Sequence, residues 1–429
     1  MELSYIKPVA FNVMLKPIGP LCNLNCTYCY YLEKDRLYQE QKNFKMSYEV
    51  LESFIRQYFE AQQVPVVPFV WQGGEPTLNG LDYYRKAVEL QYKYAGDRHF
   101  TNIFQTNGTL LNDEWCKFFK KYNILVGISI DGPHELHDHY RKTRGGEGSF
   151  SKVIRGIELL HKHEVEFNTL TVVNDVNVDH PLEVYNFLKR IGSGYIQFIP
   201  IVERIADEDA ESTLALVSPD FGESGAKLSS WSVPSRKYGE FLVKIFDEWV
   251  RKDVGDIFVQ QFDAALANWV GETPGICVFS EICGDALVME HNGDVYSCDH
   301  YVYHENYMGN IMNRSLLSMV NSNEQLDFGK KKLVNLPQKC IECDYVFACH
   351  GGCPKNRIAT TEQGEYGLNH LCEGYYHFFS HIHPYMQFMA DELRAERAPA
   401  NVMAWARKRD FNTAIRKKSN RKKKSKKRR

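Results

Sequence analysis

The segment Cys22-Asn-Leu-Asn-Cys26-Thr-Tyr-Cys29 places three thiols within eight residues, in a C-x3-C-x2-C spacing followed at once by Tyr30. This spacing constrains the chain strongly, because one short loop must present three sulfurs to one centre. Three thiolates so placed can hold three irons of a cubane [4Fe–4S] cluster. No fourth Cys lies nearby in the sequence, so one iron is left without a protein ligand. A cluster with four Cys ligands carries electrons, whereas an open metal position takes a substrate or cofactor, as in catalytic zinc sites. A small zinc site is the competing reading of the same spacing.

Around this loop the first half of the chain alternates regularly. Short β-branched and aromatic runs at Phe11–Pro17, Val66–Trp71, His99–Gln105, Ile124–Ile130, Phe167–Val173 and Tyr195–Ile201 read as buried parallel strands. Amphipathic stretches between them, about Ser47–Gln63, Leu81–Ala95, Asp113–Tyr122, Phe150–His163 and Pro181–Ile191, read as helices, several opened by a good cap such as Ser47, Asn112 or Ser149. Such a βα series gives a parallel sheet with right-handed crossovers, either an open doubly wound sheet or a partial (β/α) barrel. In both, chemistry collects at the C-terminal strand ends. The motifs fall there: Cys22–Cys29 after the first strand, Gln72-Gly-Gly-Glu-Pro76 after the second, Thr106-Asn-Gly108 after the third and Ser129-Ile-Asp131 at the end of the fourth. Residues 203–235 read as a long polar excursion. Helices at about Ser235–Arg251 and Phe258–Trp269 lead to a Cys-rich region from Cys277 to Cys372, and a last helix at about His383–Arg397 precedes the tail.

Net charge is −2, but residues 416–429 hold 11 basic and no acidic side chains, leaving 41 basic against 54 acidic in the remainder. The block is read as a disordered solubilising tail, in preference to a nucleic-acid-binding or acidic-partner segment. No stretch approaches the ~20 apolar residues of a membrane span, and Met-Glu-Leu-Ser-Tyr-Ile-Lys-Pro lacks the form of a signal peptide. A cytosolic location is expected, where 12 Cys point to metal ligation and not to disulfides.

Gly73 and Gly74 let backbone approach a ligand, while Glu75 and nearby carbonyls can accept hydrogen bonds from an ammonium group; a tight turn is the plain alternative. Ser129 and Asp131 can bond a ribose or carboxylate, and Arg141 can pair with a carboxylate. His134, His137 and His139 read as exposed residues of a polar loop, and Cys116 as a packing residue in a helix. The second cluster of thiols runs Cys277-x5-Cys283-x14-Cys298, then Cys340-x2-Cys343-x5-Cys349-x3-Cys353-x18-Cys372. Eight Cys can supply two clusters with four ligands each, although C-x2-C pairs also suit structural zinc.

These motifs together resemble the radical S-adenosylmethionine (SAM) superfamily with a SPASM extension, and within it the anaerobic sulfatase-maturating enzymes. The likeness runs from about Phe11 to about Tyr385. It rests on the Cys triplet with Tyr30-Tyr31-Leu32-Glu33-Lys34, on Trp71-Gln-Gly-Gly-Glu-Pro-Thr-Leu78, Phe104-Gln-Thr-Asn-Gly108 and Gly127-Ile-Ser-Ile-Asp-Gly132, and on His291 to Val302 and Gly351-Gly-Cys-Pro-Lys355. It implies an α/β fold: a partial (β/α)6 radical SAM barrel over 1–235, connecting helices over 236–273, a Cys-rich SPASM-type iron–sulfur domain over 274–385, and a C-terminal helix and basic tail over 386–429.

The resemblance further implies three [4Fe–4S] clusters and SAM. One auxiliary cluster would use Cys277, Cys283, Cys298 and Cys353, the other Cys340, Cys343, Cys349 and Cys372. The reaction implied is anaerobic oxidation of a Cys or Ser in a sulfatase to Cα-formylglycine, by 5′-deoxyadenosyl radical abstraction of a Cβ hydrogen and removal of the S–H or O–H proton by a base. Asp299 matches the base, with a local turn cap as its plain alternative. Gln72 and Tyr31 match residues near the peptide, while Tyr28, Gly73, Ser129, Arg141 and Val202 match residues bordering SAM, whose amino group the Gly73-Gly74-Glu75 motif would hold. The implied partners are an unfolded or nascent sulfatase polypeptide, with a Cys/Ser-x-Pro/Ala-x-Arg motif, and a flavodoxin- or ferredoxin-type electron donor. A SPASM maturase forming thioether or carbon–carbon crosslinks is the runner-up. A non-catalytic iron–sulfur electron carrier needs neither the open three-Cys site nor the Gly-Gly-Glu-Pro turn.

Overall fold

In the computed structural model, which describes residues 10–38, 43–207, 214–220 and 225–411, the apolar runs form strands. They are β1 (Asn12–Lys16), β2 (Val66–Trp71), β3 (His99–Thr106), β4 (Leu125–Ser129), β5 (Phe167–Val173) and β6 (Tyr195–Pro200). All six pair in parallel, in sequence order. The helices between them are α1 (Tyr48–Ala61), α2 (Leu81–Ala95), α3 (Asp113–Lys121), α4 (His134–Tyr140), α5 (Phe150–Lys162) and α6 (Pro181–Arg190). Ser47 and Asn112 cap their helices by accepting from the Val50 and Trp115 amides. Phe54, Tyr58, Phe69, Trp71, Phe104 and Phe119 fill the layer between helices and sheet. Each large apolar side chain buried this way contributes about 1.5–3 kcal/mol.

Within the excursion after β6, a hairpin pairs β7 (Arg204–Ala206) with β8 (Ala226–Leu228). Two helices, α7 (Ser235–Lys252) and α8 (Gln260–Val270), flank β9 (Phe258–Val259), which extends the sheet beyond β6. The Cys-rich region then returns to the other edge. Its strand β10 (Ala286–Glu290) pairs in parallel with β1 over five residues, placing Lys16 opposite Glu290. The strands β11 (Asp294–Tyr296) and β12 (Tyr307–Asn310) follow antiparallel, so one sheet, of ten strands among the described residues, carries both the first Cys loop and Asp299. The helices α9 (Leu316–Val320), α10 (Asn323–Val334), α11 (Gln338–Ile341) and α12 (Val346–Cys349) lead to α13 (Cys372–Arg394), which lies along α7.

Three expectations are corrected. The last helix starts at Cys372, not near His383, and runs through Pro384. The lost N–H of Pro384 is outweighed by burial of Tyr375, Phe378, Phe379, Ile382 and Met386. Ser149 does not cap α5 with its side chain; its hydroxyl lies 2.9 Å from the His137 ring and donates to the Arg141 carbonyl. The His134–His139 run is a helix, not a polar loop, and His137 is fully buried with its ring held at 3.3 Å by the Asp131 amide. His134 and His139 are exposed, as expected. Cys116 packs in the core. The basic block 416–429 lies outside the described residues. Among the described residues no helix is long and apolar enough to cross a membrane.

Candidate active site

The loop after β1 packs Cys22, Cys26 and Cys29 with Leu24, Tyr28, Ile201, Tyr140 and Trp231. The Cys29 amide donates to the Cys26 carbonyl at 3.0 Å, and the Leu24 amide donates to Cys22 Sγ at 3.4 Å. Burial pushes Cys22 and Cys26 up to about 12 and Cys29 up to about 11. Thiolates persist in such a place only beside a compensating cation, and bound iron is one.

The Gly-Gly-Glu turn is stitched to that loop. The Gly74 amide donates to the Gly19 carbonyl and the Glu75 amide to the Leu21 carbonyl, both at 2.8 Å. Gly73 has φ +139°, and a Cβ on Gly74 would overlap the Leu21 carbonyl and stand 2.8 Å from the Pro20 carbonyl carbon. Glu75 turns inward. Its Oε1 accepts from the Thr77 amide and hydroxyl and from the Thr106 hydroxyl, and its Oε2 from the Asn107 amide at 2.8 Å. The carboxylate therefore ties the β2 turn to the end of β3, and Oε2 is the oxygen with capacity left for a donor.

Asp131 and Arg141 have each other. The guanidinium is bidentate on the carboxylate, at 2.9 Å from Nε and 3.1 Å from Nη2, and the Tyr28 hydroxyl and Val172 amide also donate to Asp131. The sequence offered both to an incoming ligand. The structure spends Asp131, which has no exposure, on internal bonds, and leaves Arg141 Nη1 outside the fork. Removing one member of a buried pair costs about 3–5 kcal/mol, because the other charge stays buried. Asp131→Ala is expected to lower stability by about that amount, read as a fall in denaturant midpoint. Nearby, Ser129 Oγ accepts from Gln105 at 3.0 Å. The Val202 carbonyl accepts from Lys355, which also pairs with Glu203 at 2.8 Å.

Lys16 gathers the remaining residues. From the end of β1 its ammonium sits 2.6 Å from Asp299, donates to Gln72 at 3.0 Å and lies 4.2 Å from the centre of the Tyr31 ring. The Tyr30 hydroxyl donates to the other Asp299 oxygen, and the Tyr31 hydroxyl donates to Glu290. Burial opposes ionisation of Asp299, but the charges of Lys16 and His300 and the hydrogen bonds from Lys16 and Tyr30 together outweigh it and hold the carboxyl below the usual range. This is a carboxylate kept ionised beside a cluster-ligand candidate, Cys298.

The eight later thiols have electrostatic neighbours among themselves. Burial raises Cys277, Cys283 and Cys298, and nearby Cys353 adds to all three. Burial likewise raises Cys340, Cys349 and Cys372; Cys372 adds to the first two and Cys343 to all three. Among the described residues no three His, Cys, Asp or Glu side chains are gathered closely enough to ligate one single ion. A cubane binds its thiolates through different irons and asks for a wider arrangement.

The radical SAM superfamily model matches residues 17–188, and an iron–sulfur cluster-binding domain model, SPASM, matches residues 277–344. A serine-type anaerobic sulfatase-maturating enzyme of Bacteroides thetaiotaomicron is 54% identical over 93% of this chain and 95% of its own length. The chain belongs to the anaerobic sulfatase-maturating enzymes. A cysteine-type member of this family from Clostridium novyi is 35% identical over 86% of this chain and 94% of its own. A solved structure described as native anSMEcpe with bound AdoMet and Cp18Cys peptide superposes with TM-score 0.75 at 31% identity, over 89% of this chain and 99% of that one. Streptococcus suis SuiB bound to S-adenosylmethionine, at 13% identity and TM-score 0.54, shares the fold alone. The radical SAM barrel with its SPASM extension is thus the fold, and iron–sulfur clusters with SAM are the cofactors of this sulfatase-maturating family member.

Sequence reasoning missed Lys16, Tyr30, Glu290 and His300 around Asp299. One signal was present for Lys16: it is the lone charge directly following the apolar run of β1, and it is 1% exposed.

Proposed function

We propose that this anaerobic sulfatase-maturating enzyme oxidises a serine of a sulfatase polypeptide to Cα-formylglycine, with Asp299 as the base. The serine target follows the serine-type relative at 54% identity. The observation that carries the base is the Lys16–Asp299 pair at 2.6 Å, with Tyr30 on the second oxygen. When bound at Cys22, Cys26 and Cys29, the first cluster with SAM supplies the radical that removes a Cβ hydrogen. The protein's own groups do the rest. Asp299 takes the hydroxyl proton, and Lys16 and Tyr30 hold it ionised and aimed. Gln72 and Tyr31, both fixed by contacts of Lys16, border the peptide. The Gly73-Gly74 turn, Glu75 Oε2, Arg141 Nη1, Tyr28, Ser129 and Val202 border SAM.

Within this reading the chain has three [4Fe–4S] clusters, the auxiliary two on Cys277, Cys283, Cys298 and Cys353 and on Cys340, Cys343, Cys349 and Cys372. A flavodoxin- or ferredoxin-type donor feeds the first. The working division is a barrel over 1–235, connecting helices over 236–273, the SPASM part over 274–385 and the remainder over 386–429.

The test is anaerobic: reconstituted protein, dithionite, SAM and a peptide carrying Ser-x-Pro/Ala-x-Arg, read by mass spectrometry. An aldehyde at the serine supports the proposal. SAM cleavage with a crosslinked or unchanged peptide overturns it. Lys16→Met is expected to lower aldehyde yield per SAM cleaved by about 10–100-fold, the share of a base that has lost its orienting partner. The paired counts of 5′-deoxyadenosine and aldehyde check it, and Lys16→Arg is expected to recover part of the coupling.

A further inference from the structure

The helix α10 carries no cysteine and enters none of the motifs above. Three of its residues, Gln325, Gly329 and Lys332, stand at i, i+4 and i+7, on one side of the helix. Gln325 Nε2 donates to the Gly284 carbonyl at 2.8 Å and the Ser297 carbonyl at 3.1 Å, beside Cys283 and Cys298. The Gly329 carbonyl accepts from the Cys283 amide at 3.3 Å, and a Cβ on Gly329 would overlap the Cys283 carbonyl. The Lys332 ammonium donates to the carbonyls of Cys277 at 2.5 Å, Val278 at 3.1 Å and Ser280. One helix face thus grips the backbone at three of the four thiols of the first auxiliary set.

Lys332 is also a charge out of place. Its side chain has no exposure. Burial pulls its ammonium below the usual lysine range, and the thiols of Cys353, Cys277 and Cys283 work against that pull. A buried ammonium without an anion is costly. A [4Fe–4S] core with four thiolates is a net anion, and one-electron reduction makes it more negative. The donor set, the tight Gly329 contact and the buried ammonium all fit such a group, and Arg357 adds a second buried cation facing Cys353 and Cys283.

We propose that Lys332 is the buried counter-ion of the cluster held by Cys277, Cys283, Cys298 and Cys353, fixing its ligand loop and making it easier to reduce. The inference rests on the cluster assignment made above. Charge near a cluster is one of the factors that set its potential. Cys298 precedes Asp299, so this is the cluster beside the proposed base. A cluster held there would offer a place for the electron that leaves the substrate as Asp299 takes the proton.

The experiment is an EPR-monitored potentiometric titration of the reconstituted full chain, with iron analysis, on Lys332→Gln, Lys332→Met and Lys332→Arg. In a neutral variant with full iron, the proposal expects one auxiliary signal to need at least a tenfold stronger reducing poise, about 59 mV lower for a one-electron couple. Lys332→Arg is expected to keep the signal in place. An unmoved signal in a fully loaded neutral variant overturns the proposal. Loss of about four irons in both neutral variants, with retention in Lys332→Arg, supports it. Loss in all three overturns it and leaves Lys332 a packing residue. Iron in the unaltered chain tests the cluster reading separately: about twelve per chain supports it, and about four overturns it and the counter-ion together.

Discussion

Asp299→Asn will all but stop formylglycine formation while SAM cleavage continues. The carboxylate sits between a buried ammonium at 2.6 Å and the Tyr30 hydroxyl; an amide keeps the shape, with its oxygen toward Lys16 and its NH2 donating to a turned Tyr30 hydroxyl, but it cannot take a proton. A positioned base is worth about 10²–10⁴-fold, and the aldehyde rate should fall by that factor. None of the contacts described for the Cys22–Cys29 loop, the Gly-Gly-Glu turn or Arg141 passes through Asp299, so 5′-deoxyadenosine release should stay within about twofold. Mass spectrometry of the peptide alongside chromatography of the nucleoside reads both. Parallel loss of the two would remove Asp299 from the base role and make it a structural support of the Lys16 site.

Gly74→Ala will cost the first cluster. The added methyl has nowhere to go: it meets the backbone of Pro20 and Leu21, and not the flexible end of a side chain. Overpacking in a core costs about 1–3 kcal/mol where side chains can move, and here the neighbour that must move is the Cys loop itself. The amide bonds from Gly74 and Glu75 to Gly19 and Leu21 hold the loop's entry. The expected result is about four irons fewer per chain and no detectable SAM cleavage, with the later thiols still loaded. Full iron content with active cleavage would show that the loop can shift and that the close approach is not required.

Much of this was legible in the residues. The bounds of β2, β5 and α2 follow directly from apolar runs and helical periodicity. The thiol triplet and the octet announce metal by count and spacing. What the letters hid is long-range. Lys16 is a lone charge inside the first apolar run, and only parallel pairing with β10 makes it the centre of the site. Glu75 reads as a carboxylate offered to a ligand, yet its Oε1 is committed to Thr77 and Thr106 and only Oε2, which accepts from the Asn107 amide, keeps capacity for one. α4 reads as loop because seven residues with three His, one Asp and one Glu give a weak helical pattern, and burial of Leu136 and His137 overrides it. The grip of α10 has no motif at all, since it works through backbone carbonyls.

The seam between β1 and β10 also sets an order in time. Strand Asn12–Lys16 emerges early in synthesis, and its partner Ala286–Glu290 follows some 270 residues later. At about 5–20 residues per second, that edge waits on the order of tens of seconds for its neighbour. During that interval a nascent barrel already holds its first cysteine loop but has no Asp299 and an unpaired strand edge, a template for wrong pairing. On the proposed role of Asp299, formylglycine formation therefore becomes possible only once the last third of the chain has been made and docked, because the base reaches Lys16 only through that seam.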